Sequence, residues 1–184
     1  PRPSPTPSAP APTRAAPTAV RSPTPTPIPL GDNLVDNGGF SDGLAAWYVE
    51  DDVAVVADAG NRGGPGVRIG VAGGYTDQRL DLTPGHTYRL AVWAGVSVAG
   101  DAGEVGITYL DAAENRLASD DSPRLLFDET TPIRQTLTFI PPADAVTVLV
   151  YAWKAPGSSE FVVDDVSVRE LMVALAAVPD ESGG

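Results

Sequence analysis

Aromatic side chains are the residues of this sequence best suited to binding a ligand. Tyr75 follows two glycines, and Trp153 precedes Lys154 at the end of a predicted strand, so we expect both rings to be exposed. Exposed rings can pack on the apolar C–H faces of pyranose sugars, and they also anchor protein interfaces. Tyr75 and Trp153 are therefore our candidate glycan-binding residues, whereas we expect Trp47 and Tyr88 to lie in the core.

The residue types of this sequence give little indication of catalysis. His86 is the only histidine, and it lies in a Thr-Pro-Gly-His turn where exposure to solvent is expected. The sequence contains no phosphate-binding Gly-x-x-x-x-Gly-Lys motif. With 24 acidic residues, some pair of carboxylates will always look suitable for glycoside hydrolysis, so such a pair indicates nothing specific. We predict that the protein is not an enzyme and has no catalytic residues.

Charge and composition exclude several classes of partner. Residues 1–30 carry three arginines and no acid, which leaves −15 for the rest of a chain whose net charge is −12. So acidic a surface repels nucleic-acid phosphates and anionic lipid headgroups, and we expect no nucleic-acid partner. The longest apolar run, residues 171–178, is too short to span a membrane, so we expect no membrane insertion. The absence of cysteine excludes disulfides and thiolate chemistry.

Residues 1–30 differ in composition from the rest of the chain. They contain 11 of the 19 prolines together with eight serines or threonines. This composition cannot bury a core, and it favours extended polyproline II structure. Similar tracts serve as O-glycosylated spacers in secreted or surface proteins. We therefore predict an extended Pro/Thr-rich arm or linker, a secreted or cell-surface location, and earlier removal of any signal peptide.

From residue 31 to residue 168 the sequence consists of short β-rich runs separated by Gly, Pro, Asp and Asn. We predict nine strands, at residues 54–57, 67–71, 78–82, 87–96, 105–110, 124–127, 133–140, 146–153 and 160–168. Nine strands in about 120 residues is the spacing of a β-sandwich. Residues 147–151 are apolar on both faces, which suits a central strand covered on both sides. No helical pattern of ten residues precedes position 168, so the domain is predicted to be all-β.

Three segments of this domain carry a family resemblance. Residues 33–47 read NLVDNGGFSDGLAAW, and residues 163–168 read VDDVSV. Between them a strand–turn–strand pattern contains Gln78, Leu80, Leu82, Pro84, Gly85, Tyr88, Leu90, Val92, Trp93 and Ala94. In this order the segments resemble the jelly-roll carbohydrate-binding modules found beside secreted xylanases and glucanases. The resemblance implies a jelly-roll β-sandwich of two antiparallel sheets.

The resemblance also implies a structural calcium ion. In such modules oxygen ligands hold the ion where the opening segment meets the last strand. The matching ligands here are Asp42 and Asp164, with backbone carbonyls around Asn37 and Phe40. Ser41 stands where relatives commonly have an acid, so we expect weaker binding. The alternative is that Asp42 caps a turn and Asp164 is a solvated strand residue.

Residues 169–184 form an apolar C-terminal segment followed by a polar tail. Eight consecutive apolar side chains, at 171–178, should not remain in water. They either close the core of their own protomer as an extra strand or short helix, or pair with the edge of a neighbouring subunit. The residues assigned to assembly in the second case are Leu171, Met172, Val173, Leu175 and Val178.

Two functional hypotheses follow from the sequence. In the first, which we favour from the sequence, the chain is a non-catalytic subunit that assembles with copies of itself into an extracellular or surface filament. The arm and the C-terminal segment would then make the contacts between subunits. In the second, the chain is a polysaccharide-binding module of a secreted glycoside hydrolase, and the arm is an O-glycosylated linker. The first hypothesis gives the apolar C-terminus a role that the second does not.

Overall fold

The computed structural model describes residues 28–117 and 122–172 of the 184-residue chain. Most of the predicted arm, and the predicted assembly residues Val173, Leu175 and Val178, lie outside these described residues. The described part contains one short 3₁₀ turn, no α-helix and eight strands. The strands are β1 (Tyr48–Val56), β2 (Gly66–Leu80), β3 (Tyr88–Val96), β4 (Gly103–Leu110), β5 (Arg124–Phe127), β6 (Ile133–Phe139), β7 (Thr147–Lys154) and β8 (Phe161–Glu170). The prediction of an all-β fold is confirmed.

The strands form two antiparallel sheets that share β2. One sheet has the order β5-β4-β7-β2, and the other has the order β6-β3-β8-β2. Residues 67–69 of β2 pair with β8, and residues 74–80 pair with β7. β1 pairs along both halves of β2. This arrangement is the jelly-roll sandwich that the sequence predicts, with its two sheets continuous through one long strand.

β2 changes sheets at a glycine-rich bend. The register between β1 and β2 shifts there, and residues 70–73 of β2 have no partner in β1. Gly73 has a φ of +80°, and a Cβ at this position would lie 2.6 Å from the backbone nitrogen of Pro156. Only glycine combines this backbone conformation with so close an approach. The sequence predicts two strands here, at 67–71 and 78–82, because the glycines between them are typical of a loop. The structure instead joins them in one strand.

The core lies between the two sheets. Its largest fully buried apolar side chains are Phe40, Phe127, Phe161, Ile69, Leu90 and Ile107. The ring of Phe161 lies against Gly103 of the opposite sheet, in the space that a Cβ of residue 103 would occupy. The two sheets therefore approach closely enough to exclude water. Trp47 and Tyr88 are buried in this core, as expected.

The two ends of the described chain lie side by side. The backbone nitrogen of Met172 donates to the carbonyl of Pro29 at 3.0 Å, and the nitrogen of Leu171 donates to the carbonyl of Thr87 at 2.8 Å. Leu171 also forms an antiparallel bridge with Leu30. The first two residues of the apolar C-terminal segment are thus hydrogen-bonded within their own chain. No helix long and apolar enough to cross a membrane occurs among the residues described above.

Candidate functional site

A groove of about 450 Å³ lies on the outer face of the sheet that contains β4, β7 and β2. Alternate residues of a strand point to the same face, so residues 149, 151 and 153 of β7 face the groove while 148, 150 and 152 enter the core. The groove is lined by Tyr75, Glu104, Thr108, Leu110, Glu114, Arg116, Leu149, Tyr151 and Trp153. Both aromatic residues that the sequence analysis selected therefore line one groove.

The aromatic rings of the groove come from two adjacent strands. Tyr75 and Trp153 are direct partners in the β2–β7 pairing, so their side chains share a face. Trp153 is 42% exposed, as expected. Tyr75 is only partly exposed, because its ring stacks on that of Tyr151 with the centroids 6.0 Å apart. Three aromatic residues therefore line the groove.

Tyr151 is a groove residue that the sequence analysis missed. Its segment was interpreted as a strand covered by protein on both faces, because residues 147–151 are apolar throughout. The structure places β7 centrally, between β4 and β2, but leaves the face of Leu149 and Tyr151 to form the groove. The phenol among aliphatic residues was the available signal, since a buried tyrosine hydroxyl needs a hydrogen-bond partner.

That partner is Glu104 of β4. The Tyr151 hydroxyl donates to Glu104 Oε1 at 3.0 Å, and the other carboxylate oxygen lies 3.5 Å from Arg124 Nε. Burial, together with the nearby Glu104 charge, raises the pKa of Tyr151 to about 12. The hydroxyl therefore stays protonated near neutral pH and holds the carboxylate in place.

Further polar groups of β2, Asp77 and Arg79, line a depression that lies apart from the groove lining. Burial raises the pKa of Asp77, while the neighbouring Tyr75 hydroxyl opposes this shift. Burial and the Asp77 charge in turn raise the pKa of Tyr75. Arg79 Nη2 lies 3.0 Å from Glu114 Oε1 in an exposed ion pair. The groove thus combines an aromatic wall with donors and acceptors at its edges, which is the arrangement that sugar hydroxyls require.

Glycine at position 106 makes room for this arrangement. Gly106 of β4 is the direct pairing partner of Tyr151. A Cβ at Gly106 would lie 2.8 Å from the Tyr151 hydroxyl oxygen and 2.9 Å from the Cβ of Arg124. An alanine there would displace the hydroxyl from Glu104. The shape of the groove therefore depends on this glycine.

Residues 39–43 have the Gly-x-Ser-x-Gly spacing that surrounds the nucleophile of many hydrolases. The structure places them in turns ahead of β1 rather than between a strand and a helix, and Ser41 is exposed. His86 Nδ1 lies 2.8 Å from Glu170 Oε1, and within the described ranges no hydrogen bond joins it to Ser41. This segment lacks the geometry of a nucleophile elbow.

The two predicted calcium ligands lie in different environments. Asp164 is only 4% exposed; its Oδ2 accepts a hydrogen bond from the backbone of Asn61 at 2.7 Å, and its buried Oδ1 has no hydrogen-bond partner. Asp42 is exposed. Neither belongs to a group of three or more acidic or histidine side chains among the residues the structure describes. A buried carboxylate oxygen without a donor suits a hard cation.

The turn that follows Asn37 adjoins this carboxylate. A Cβ on Gly39 would lie 3.9 Å from Asp164 Oδ1. Gly38 is packed so tightly against the carbonyl of Val166 in β8 that no side chain fits, and the Val166 nitrogen donates to the Gly38 carbonyl at 2.9 Å. The opening segment and the last strand therefore meet here, as the resemblance implies.

Comparison with solved structures identifies several similar folds. A family 16 carbohydrate-binding module is 26% identical, with a TM-score of 0.63 over 74% of this chain and 99% of that one. The CBM22-1 xylan-binding domain of Paenibacillus barcinonensis Xyn10C is 14% identical, with a TM-score of 0.59 over 78% and 97%. TmCBM61, in complex with beta-1,4-galactotriose, is 15% identical, with a TM-score of 0.55 over 75% and 98%.

The sequence comparisons give no such match. No family model matches the chain, and no curated protein matches it. The structural matches cover nearly the whole of each module and about three quarters of this chain. They agree with the family resemblance of the three sequence segments. The described domain therefore has the jelly-roll fold of carbohydrate-binding modules.

Proposed function

We propose that this domain is a non-catalytic module that binds a polysaccharide in the groove between Tyr75, Tyr151 and Trp153. The observation that carries the proposal is the direct pairing of Tyr75 with Trp153, which puts two aromatic rings on one wall of one groove. Pyranose rings have apolar C–H faces that pack on such rings. A volume of about 450 Å³ lies within the range of small-molecule sites.

The sugars that similar structures bind support this proposal. One similar structure is described as a xylan-binding domain, and another holds beta-1,4-galactotriose. A third similar structure is a CBM22-1 module joined to a GH10 xylanase from Clostridium thermocellum. We infer that the chain works in the same way, as a secreted module that keeps a glycoside hydrolase near its polysaccharide. The Pro/Thr-rich residues 1–30 would then be the O-glycosylated linker.

The filament hypothesis has less support than this alternative. The backbones of Leu171 and Met172 are hydrogen-bonded within their own chain, so these two residues do not need a neighbouring subunit. Three of the similar structures are carbohydrate-binding modules. Neither the comparisons nor the described residues 28–117 and 122–172 contain a feature that favours assembly into filaments. The polysaccharide-binding function therefore takes precedence.

A structural calcium ion is part of the proposal. Asp164 would hold the ion through its unpaired Oδ1, with the carbonyls of the adjoining turn and the Asp42 carboxylate as further ligands. When bound, calcium would supply a hard positive charge to this otherwise unpaired oxygen. Its effect would be to fasten the opening segment to β8. The groove lies on the other sheet, so calcium would support the fold rather than contact the sugar.

Binding of polysaccharides by a single tryptophan variant tests the proposed function. We expect the purified domain to bind at least one of xylan, β-1,4-galactan and β-glucan in affinity electrophoresis and calorimetry. Trp153→Ala should weaken that binding about tenfold or more, because the ring supplies most of the exposed aromatic area. Trp93→Ala, on the other sheet, is the matched control and should leave affinity unchanged. Absence of binding, or equal affinity of a Tyr75→Ala/Trp153→Ala variant, would refute the proposal.

A further inference from the structure

The groove continues past Trp153 into a second depression, which we call the Gly73 pocket. This pocket has a volume of about 430 Å³. It is lined by Glu50, Asp51, Ala72, Gly73, Gly74, Tyr75, Trp153, Lys154 and Pro156. Tyr75 and Trp153 line both spaces, so the two rings stand between them. A glycan lying on these rings would reach both the groove and the pocket.

The two spaces differ in charge. In the groove, Glu104 lies beside Arg124 and Glu114 beside Arg79, and Arg116 adds a further positive charge. Acids and bases there compensate one another, which suits neutral sugar hydroxyls. In the Gly73 pocket the acids are Glu50 and Asp51, and neither forms an ion pair with any described residue.

The lysine of the Gly73 pocket does not compensate these two acids. Lys154 has no exposed surface, and its Nζ donates to the carbonyl of Ala155 at 2.8 Å. The same nitrogen lies 3.3 Å from Asp101 Oδ2. Asp101 does not line the pocket, and its carboxylate balances the positive charge of Lys154. Two acidic and two aromatic residues therefore line the pocket, and its lysine is paired with Asp101.

We propose that the Gly73 pocket binds a sugar unit that carries a free amine, so that the ligand class is a polysaccharide containing cationic amino sugars. This inference rests on the proposed function, because the amino sugar would belong to the glycan held in the groove. An ammonium group is attracted both by carboxylates and by the faces of Tyr and Trp. N-acetylation removes the charge, and a uronic acid unit would be repelled by Glu50 and Asp51.

Binding of glycans that differ only in charge tests the proposal. The probes are six-unit oligomers of glucosamine, of N-acetylglucosamine and of xylose, measured by calorimetry at low and at high salt. We expect the glucosamine oligomer to bind about tenfold more tightly than its N-acetylated form at low salt, from one cation–aromatic contact and two exposed ion pairs. This preference should decrease at high salt, because exposed charges are screened.

Two double variants, each of which removes two carboxylates, test whether the preference for the amine depends on the Gly73 pocket. Glu50→Gln/Asp51→Asn removes both pocket carboxylates, and asparagine tolerates the left-handed backbone of Asp51, whose φ is +64°. Asp128→Asn/Glu129→Gln removes the same charge from exposed positions outside both spaces. The pocket variant should lose the preference for the amine, and the control should keep it.

The outcomes separate this inference from the proposed function. If neutral oligomers bind in the groove and the amine brings no advantage, the inference is wrong and the proposed function stands. Equal loss of the preference in both charge variants would show attraction to the acidic surface in general, which also overturns the inference. If none of the oligomers or polysaccharides binds, the proposed function itself fails.

Discussion

The ammonium group of Lys154 is completely buried and lies 3.3 Å from the carboxylate of Asp101. The same carboxylate accepts hydrogen bonds at 2.9 Å from both the backbone nitrogen and the hydroxyl of Ser159. These hydrogen bonds from Ser159, with further help from Lys154, hold the pKa of Asp101 well below its usual range. The network joins Lys154, at the end of β7, to the loop before β4 and to the loop before β8.

Removal of Asp101 should destabilise the domain more than removal of Lys154. Asp101→Ala leaves a buried ammonium without its counter-charge, whereas Lys154→Met leaves a carboxylate that still accepts from Ser159. We expect thermal unfolding to show a fall in Tm on the order of 5–10 °C for the aspartate variant. The double variant should recover part of this loss, and a double variant less stable than Asp101→Ala would contradict the account.

Alanine at position 106 should weaken glycan binding through the fold of the groove. The added Cβ would meet the Tyr151 hydroxyl at 2.8 Å and displace it from Glu104. We expect Gly106→Ala to cost about 1–3 kcal/mol of stability, as overpacking does, and to reduce the affinity for polysaccharide. Gly64→Ala is the control, because its nearest contact would be an ordinary 3.5 Å. If calorimetry shows that Gly106→Ala binds polysaccharide with unchanged affinity, the position of the Tyr151 hydroxyl does not matter for ligand binding.

Neutralisation of Asp77 should stabilise the domain in a pH-dependent way. Burial raises the pKa of Asp77 in the folded state, so ionisation above its ordinary value near 3.8 costs stability. Asp77→Asn removes this cost and keeps an acceptor for Tyr75. The Tm of the variant should exceed that of the wild type near pH 7, and the difference should disappear below about pH 3. Asp81→Asn, exposed beyond the strand, controls for the loss of one charge. A Tm difference that grows as the pH falls would contradict a raised pKa of Asp77 in the folded state.

Local sequence signals were sufficient for most of the strands. The segment at 124–127 was predicted with the bounds that β5 has, because Pro123 and Asp128 flank it. β2 was divided in two, since its glycines are typical of a loop. Whether a run of glycines ends a strand or bends it depends on the partner strand, here β1, and the sequence alone does not show the partner.

The sequence predicted only those features of the candidate site that do not depend on how distant strands pair. Exposure of Trp153 follows from its position at the end of a strand, and this expectation is confirmed. The placement of Tyr75 opposite Trp153 depends on the register between β2 and β7, which are far apart in sequence. Tyr151 escaped notice because an apolar strand beside a ligand groove has the same composition as a strand beside the core. Long-range register is therefore what the structure adds.

Calcium should stabilise the folded domain through Asp164. An ion that binds only the folded state adds about 2.7 kcal/mol at one hundred times its Kd, so Tm should rise with calcium and fall with excess chelator. Asp164→Asn should abolish this response, because the unpaired Oδ1 then lacks its charge. Asp42→Asn should reduce the response if its carboxylate is a ligand. Asp144→Asn, exposed in a turn, is the control and should respond like the wild type. Equal melting temperatures of the wild type in calcium and in chelator would exclude the ion.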